Sequence, residues 1–204
     1  MKKLCLSIAL VLYFGIAFSQ TATKKQTHSI PDVELKIGGG ISKFYVDRID
    51  YFTVSGATKI RNKLFGIECT AGTRIAKQLP SNYKVGLLGG VPKDNHIYFA
   101  LYYAKPVSFF KTHKIRSLLK LGASYNIYDE KSFTKRVLDS NTWFDLGPSH
   151  NTQSNQTISL GAYCKLSNSL ILTKHLELSL SVFTNLANKN SALGADLTFA
   201  FVIR

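Results

Sequence analysis

Ser149 and His150 set a nucleophile beside a base. Acyl transfer by such a pair also needs a carboxylate to orient the imidazole and an oxyanion pocket. Asp145 and Asp129 lie in the same stretch, but no spacing brings either to His150. A solvated polar loop explains the pair more simply. The other histidines are His28 near the start, His96 beside a turn, and His113 and His175 in turns expected at the opposite side, so they do not converge on a metal. Gly38-Gly39-Gly40 follows a strand start but opens no helix and lacks the lysine of a phosphate loop. It reads as space made in a crowded wall. No CxxC, HExxH or paired-carboxylate spacing occurs. The sequence therefore calls for no catalytic residue, no cofactor and no metal.

The residues with the clearest electrostatic task are charges scattered among small side chains. Glu68, Arg74, Lys84, Lys120, Lys165, Glu177 and Asp196 alternate with apolar residues, as do Glu34 and Lys36. If they line a narrow interior they must pair, because an isolated buried charge costs several kcal/mol. Glu68, Glu177 and Asp196 are expected to find partners among Arg74, Lys84, Lys120 and Lys165.

Period-two alternation supplies the elements that would position them. It is clearest from Gln156 onward. Ile158, Leu160, Ala162, Cys164 and Leu166 oppose Ser159, Gly161, Tyr163, Lys165 and Ser167. Leu176, Leu178, Leu180 and Val182 oppose Glu177, Ser179, Ser181 and Phe183, and Leu193 to Ile203 repeats the scheme around Asp196. Further strands are expected at Val33 to Val46, Leu64 to Ala76, Tyr83 to Val91, Ile97 to Phe109 and Ile115 to Tyr128, giving about eight. Short links join most of them. The long ones, 45–64 and 129–154, fall on one side, and both chain ends fall on the other.

Met1 to Ser19 has Lys2 and Lys3 before an apolar run and Ala17-Phe18-Ser19 at its end, the form of a secretory signal. The run is shorter than the roughly 20 residues of a spanning helix. The division expected is a signal over 1–19, a polar periplasmic leader over 20–32 and one β-domain over 33–204. The 26 Lys and Arg against 12 Asp and Glu give +14, which falls to +12 without the two signal lysines. This excess is spread through wall and turns, with no single basic face carrying interleaved aromatics, so nucleic acid is not an expected partner. Of the two cysteines beyond the signal, Cys69 is expected on strand two and Cys164 on strand six, both on apolar faces, as two free buried thiols.

Alternation alone suits a soluble β-sandwich as well as a membrane barrel. Strand lengths of about 9 to 16 residues, against the 5 to 6 usual in soluble sheets, favour the membrane. So do a polar face of Gly, Ser, Thr and few charges, and aromatics near strand ends (Tyr45, Phe65, Tyr83, Phe99, Phe109, Tyr125, Phe201). The fold expected is all-β, an eight-stranded antiparallel up-and-down transmembrane β-barrel. With its signal, its eight alternating strands and its apolar last strand Leu193 to Ile203, the chain resembles the small outer-membrane β-barrels of the Bacteroidota, the PorT-like group among them, and the OmpA/OmpX architecture.

That resemblance implies an outer-membrane location and a non-enzymatic structural, anchoring or surface-binding role. It also raises two alternatives: an accessory part of an envelope machine such as type IX secretion, and a lipid A-modifying enzyme using Ser149-His150. A pore is not expected, since side chains fill the lumen of so small a barrel. The expected partners are outer-membrane lipid and lipopolysaccharide, with an envelope protein as a further candidate. Arg48, Lys59, Arg61 and Lys63 in the first long link are candidate contacts for lipopolysaccharide phosphates. Phe133, Leu138, Trp143, Phe144 and Leu146 in the second are candidate binding anchors.

Overall fold

Alternation gives each strand two faces, but a strand is stable only where a neighbour takes its backbone hydrogen bonds. Here every strand finds two neighbours. The strands are β1 (Val33–Phe44), β2 (Asp47–Ile60), β3 (Lys63–Ile75), β4 (Lys93–Val107), β5 (Ile115–Lys135), β6 (His150–Ile171), β7 (Leu176–Ala187) and β8 (Ala192–Ile203). Each pairs antiparallel with the next, and β1 pairs with β8, closing an eight-stranded up-and-down barrel. This computed structural model describes residues 31–44, 47–61, 63–85, 89–107, 114–136, 148–188 and 191–203, with backbone alone for 43–44 and 47–48. The expected signal and all but the last two residues of the expected leader lie outside them.

The apolar face of every strand points outward. Leu160 is 76% exposed, Leu101 64% and Leu180 60%, and Ile37, Val54, Ile67, Leu121 and Leu197 continue the belt around the wall. Small polar and charged residues point inward, among them Thr53, Thr70, Ser124, Ser167, Ser181 and Thr198, all buried. At Gly40 the wall leaves no room for a side chain. A Cβ there would collide with the Ala195 carbonyl and stand 2.9 Å from the Tyr51 hydroxyl.

The identity of two strands differs from expectation. The stretch 47–60, expected as a long link, is β2. Its inward positions include Ile49 and Tyr51 and its outward positions include Gly56 and Thr58, so bulk on the inside and small residues on the outside blur the alternation. Conversely, 83–91 alternates, but 83–85 and 89–91 form no strand, and 86–88 lie outside the described residues. β3 pairs directly with β4, from Leu64↔Ala104 to Ile75↔Lys93, and leaves 76–92 as the link between them. Cys69 therefore sits on the third strand. Both cysteines are free, as expected, but they are partly exposed on the outer wall and not buried.

Links 61–62, 108–114 and 172–175 share the end of the barrel that holds Asp32 and Ile203. Links 45–46, 76–92, 136–149 and 188–191 share the other. The link expected over 129–154 is shorter than that, because β5 runs on to Lys135 and β6 starts at His150.

Candidate functional site

The lumen is crossed by two ion clusters. Near the end that holds Asp32, Arg116 on β5 donates to Glu177 on β7, with Nη2 at 2.5 Å and Nε at 3.2 Å, and also to Glu34 on β1. Lys36 completes this cluster, 3.2 Å from Glu34 and 3.1 Å from the Ser179 hydroxyl it donates to. One level further in, Lys165 on β6 reaches Glu68 on β3 at 3.0 Å and Asp196 on β8 at 2.6 Å. Lys120 lies 3.8 Å from Glu68 and donates to the Tyr102 hydroxyl, while the Tyr163 hydroxyl donates to Glu68 at 2.8 Å. Four buried carboxylates (Glu34, Glu68, Glu177, Asp196) thus meet four buried cations (Lys36, Lys120, Lys165, Arg116). Among the described residues the charges of these two clusters balance.

Of the charges singled out in the sequence, the structure brings Glu68, Lys120, Lys165 and Asp196 together. Glu177 pairs with Arg116, an inward residue outside the expected set. Arg74 turns instead to Asp94, at 3.2 Å. Lys84 is exposed in the 76–92 link and takes no part in the lumen. Period two does not reveal which inward charges meet, because strand register and the distance across the barrel decide that.

Above the ions lies an aromatic layer. Tyr51 and Phe183 pack edge to face at 5.3 Å, Tyr98 touches both Phe183 and Tyr163 at 6.2 Å, and these rings are buried. Rings and ion clusters stack in successive layers inside the barrel, as the interior of an eight-stranded barrel is filled by side chains.

At the end away from Asp32, Asp94 ties several elements together. It accepts from Arg74, from the backbone N–H groups of Lys77 (3.0 Å) and Lys131 (2.9 Å), and from the Tyr128 hydroxyl. Beyond it, β5 and β6 continue as a two-stranded ribbon. β4 pairs with β5 only as far as Asp129, and β7 pairs with β6 only from Gly161, so in the backbone ladder residues 130–135 and 150–155 pair only with each other among the described residues, while Gln78 donates to Glu130 and the Lys131 N–H to Asp94. From Asn155 to His150 the ribbon extends about 17 Å at the usual rise per residue. Asn151, Thr152, Gln153, Ser154, Asn155 and Gln156 are exposed on both of its faces. At its base Lys131 donates to Asp129 at 2.6 Å and to Ser154 at 2.8 Å, and Ser154 donates to Asp129. The hydrogen bond from Lys131, then that from Ser154, hold the Asp129 carboxyl below its ordinary range.

Phe133 belongs to this ribbon and not to a loop. It meets Tyr83 edge to face at 5.7 Å, and Tyr83 stacks on His150 at 5.9 Å. Leu138, Trp143, Phe144 and Leu146 lie outside the described residues. Ser149 and His150 are in contact, Oγ to Nδ1 at 2.9 Å, but Ser149 Oγ also accepts the Lys84 N–H at 2.8 Å, and the Ser149 N–H donates to the Lys84 carbonyl. These contacts staple the 76–92 link to the start of β6. Asp129 is held by Lys131 and Ser154, and no acid joins the pair among the described residues.

The candidate phosphate contacts do not form one group. Arg48 stands near the 45–46 turn, whereas Lys59, Arg61 and Lys63 stand at the opposite end, because the residues between them are a strand and not a loop. Lys59 pairs with Asp32 at 3.3 Å, Arg61 holds the 61–62 turn with φ at 47°, and Lys63 lies over the Tyr103 ring.

No protein-family model matches the sequence, and no curated protein matches it. Among solved structures, Neisserial surface protein A is similar with a TM-score of 0.54 and 12% identity, over 84% of this chain and 96% of that one. A major outer membrane protein from Thermus thermophilus is similar with a TM-score of 0.51 and 12% identity, over 83% of this chain and 98% of that one. At this identity the likeness is one of fold: the chain shares the closed antiparallel barrel of these two outer-membrane proteins.

Proposed function

We propose that the protein is exported by the segment 1–19, sits in an outer membrane as a non-enzymatic barrel, and uses the β5–β6 ribbon to present a binding surface. The outward apolar belt and the ion-paired inner face support the membrane reading. In water a continuous belt of exposed Leu, Ile, Val and Phe would drive aggregation, and in hydrocarbon a closed barrel leaves no backbone edge unpaired. On this reading the end holding Asp32 faces the periplasm and the ribbon faces outward. The fold shared with two outer-membrane proteins supports the same location.

The observation that carries the binding role is the ribbon itself. A strand paired on one side only offers the backbone N–H and C=O groups of its other edge to an incoming extended segment. Its amide and hydroxyl side chains add hydrogen bonds without the desolvation cost of charge. The staple at Ser149 speaks against a hydrolase, because its oxygen already accepts a backbone N–H. The test is envelope fractionation followed by capture of surface ligands on intact cells, with and without proline at Gln153. Proline removes one backbone donor from the ribbon while the wall stays folded. A protein that fractionates with the soluble periplasm ends the membrane reading, and capture that is indifferent to Gln153→Pro ends the ribbon reading.

A further inference from the structure

The outer wall of β2 to β5 carries an apolar groove of about 780 Å³. Its floor runs over Gly66, Tyr102 and Gly122, and its sides are Phe65, Ile67, Leu101, Tyr103 and Leu121. The groove exists because Tyr102 turns inward and is buried, while Gly56 on β2 contributes no side chain outward. It runs from mid-wall toward the end of the barrel that holds Asp32.

Lys63 and Lys105 stand at that end of the groove. The pairing of Leu64 with Ala104 sets them side by side on β3 and β4, both exposed, on the same outward face as Phe65 and Tyr103. Phe65 and Tyr103 pack together at 5.6 Å, and the Lys63 ammonium lies 5.9 Å from the Tyr103 ring centroid. Arg61 is exposed in the adjoining turn. No carboxylate pairs with any of these three cations among the described residues; Asp32, on the same rim, is engaged by Lys59. Like charges on neighbouring strands repel, which costs stability unless an anion lies between them.

We infer that this groove is a binding site for one anionic glycerophospholipid of the leaflet at the Asp32 end. Lys63, Lys105 and Arg61 hold its phosphate, the Phe65–Tyr103 pair lies at the glycerol level, and an acyl chain runs past Ile67 and Leu101. The order of chemistry along the wall is that of the lipid: cations, then aromatic rings, then aliphatic side chains. The site rests on the membrane reading above, and a bound lipid would relieve the lysine repulsion.

The experiment is native mass spectrometry of the full barrel released from detergent, with dioleoyl phosphatidylglycerol or dioleoyl phosphatidylcholine added at equal concentration. The wild type is expected to retain one phosphatidylglycerol and little phosphatidylcholine. The double variant K63Q/K105Q is expected to lower phosphatidylglycerol retention roughly twenty-five-fold, since each lysine near anionic headgroups contributes about a factor of five. Gly56→Leu is expected to lower retention by filling the groove, and a Cβ there meets only Leu35 Cδ2 at 3.5 Å, so the wall tolerates it. Lys93→Gln, an exposed lysine at the other end, leaves retention unchanged. Equal retention of the two lipids, indifference to both groove variants, preference for lipid A, or a dimer that lipid does not displace would each overturn the site. Insertion into liposomes is scored in parallel. A chain that inserts but does not discriminate loses the lipid site alone, and a chain that does not insert loses the membrane reading.

Discussion

Glu68 and Lys165 meet at 3.0 Å across the lumen although they belong to the third and sixth strands. The same ammonium reaches Asp196 on the eighth strand, so one cation links three walls of the barrel. Lys165→Met would leave two buried carboxylates with one partner removed from each. The expected loss of stability is about 3–5 kcal/mol, read as a lower urea midpoint in lipid vesicles. A midpoint equal to wild type would mean that water reaches the cluster and solvates it.

Leu180 is 60% exposed on β7, level with Leu197 on β8. In a bilayer it faces hydrocarbon near the midplane. Leu180→Arg is expected to cost about 2–4 kcal/mol of folding into vesicles, while Ser181→Ala, one residue along and facing inward, costs less. Equal effects at both positions would contradict the assigned faces.

The Ser149–Lys84 staple should matter to local order and to no chemistry. Ser149→Ala removes an acceptor from the Lys84 N–H, a change worth about 1 kcal/mol. Amide exchange at Lys84 is expected to speed up severalfold while the wall amides of β3 and β4 stay protected. A change in lipid A mass on expression of the wild type, lost in Ser149→Ala, would revive the hydrolase reading.

Asp129 has its folded carboxyl held below the ordinary range by Lys131 and Ser154. A depressed carboxyl stabilises the folded form above the pKa of the unfolded chain, about 4, and loses that contribution as pH falls through the folded value. The base of the ribbon should therefore loosen on acidification below about pH 4, seen as faster exchange at Lys131 and Ser154. Lys131→Met should loosen the base already at neutral pH and shrink the further loosening on acidification. A pH dependence of unchanged size in that variant would mean that Lys131 does not set the titration.

Replacing 137–147 with a short Gly/Ser linker spares Ser149 and both ribbon strands. Barrel assembly, scored by heat-modifiable migration on a gel, should survive. Ligand capture should survive too if the ribbon edge does the binding. Capture lost here but kept in Gln153→Pro would transfer the role to the stretch containing Trp143.

The last three strands were legible because their outward residues are nearly all large and their inward ones nearly all small. The same rule failed at β2, where Ile49 and Tyr51 point into the lumen, and at 83–85 and 89–91, which alternate but belong to no strand. An eight-stranded barrel packs its inside with side chains, so some inward positions must be bulky and the two-letter pattern breaks there. The residues of the proposed lipid site were less legible than the wall. Lys63 and Lys105 lie far apart in sequence, and only the β3–β4 register sets them side by side.

The sequence by itself determined an all-β chain of about eight long two-faced strands, a lumen that had to balance its charges, and a basic excess with no single basic face. Those follow from local chemistry: side-chain size, period two and the cost of burying an unpaired ion. Only the tertiary structure decided which stretches were strands, which carboxylate met which cation, that β5 and β6 outrun their neighbours, and that three cations border one groove. Each of these depends on which strand lies beside which and in what register, and closing the barrel brings together residues that no spacing along the chain could relate.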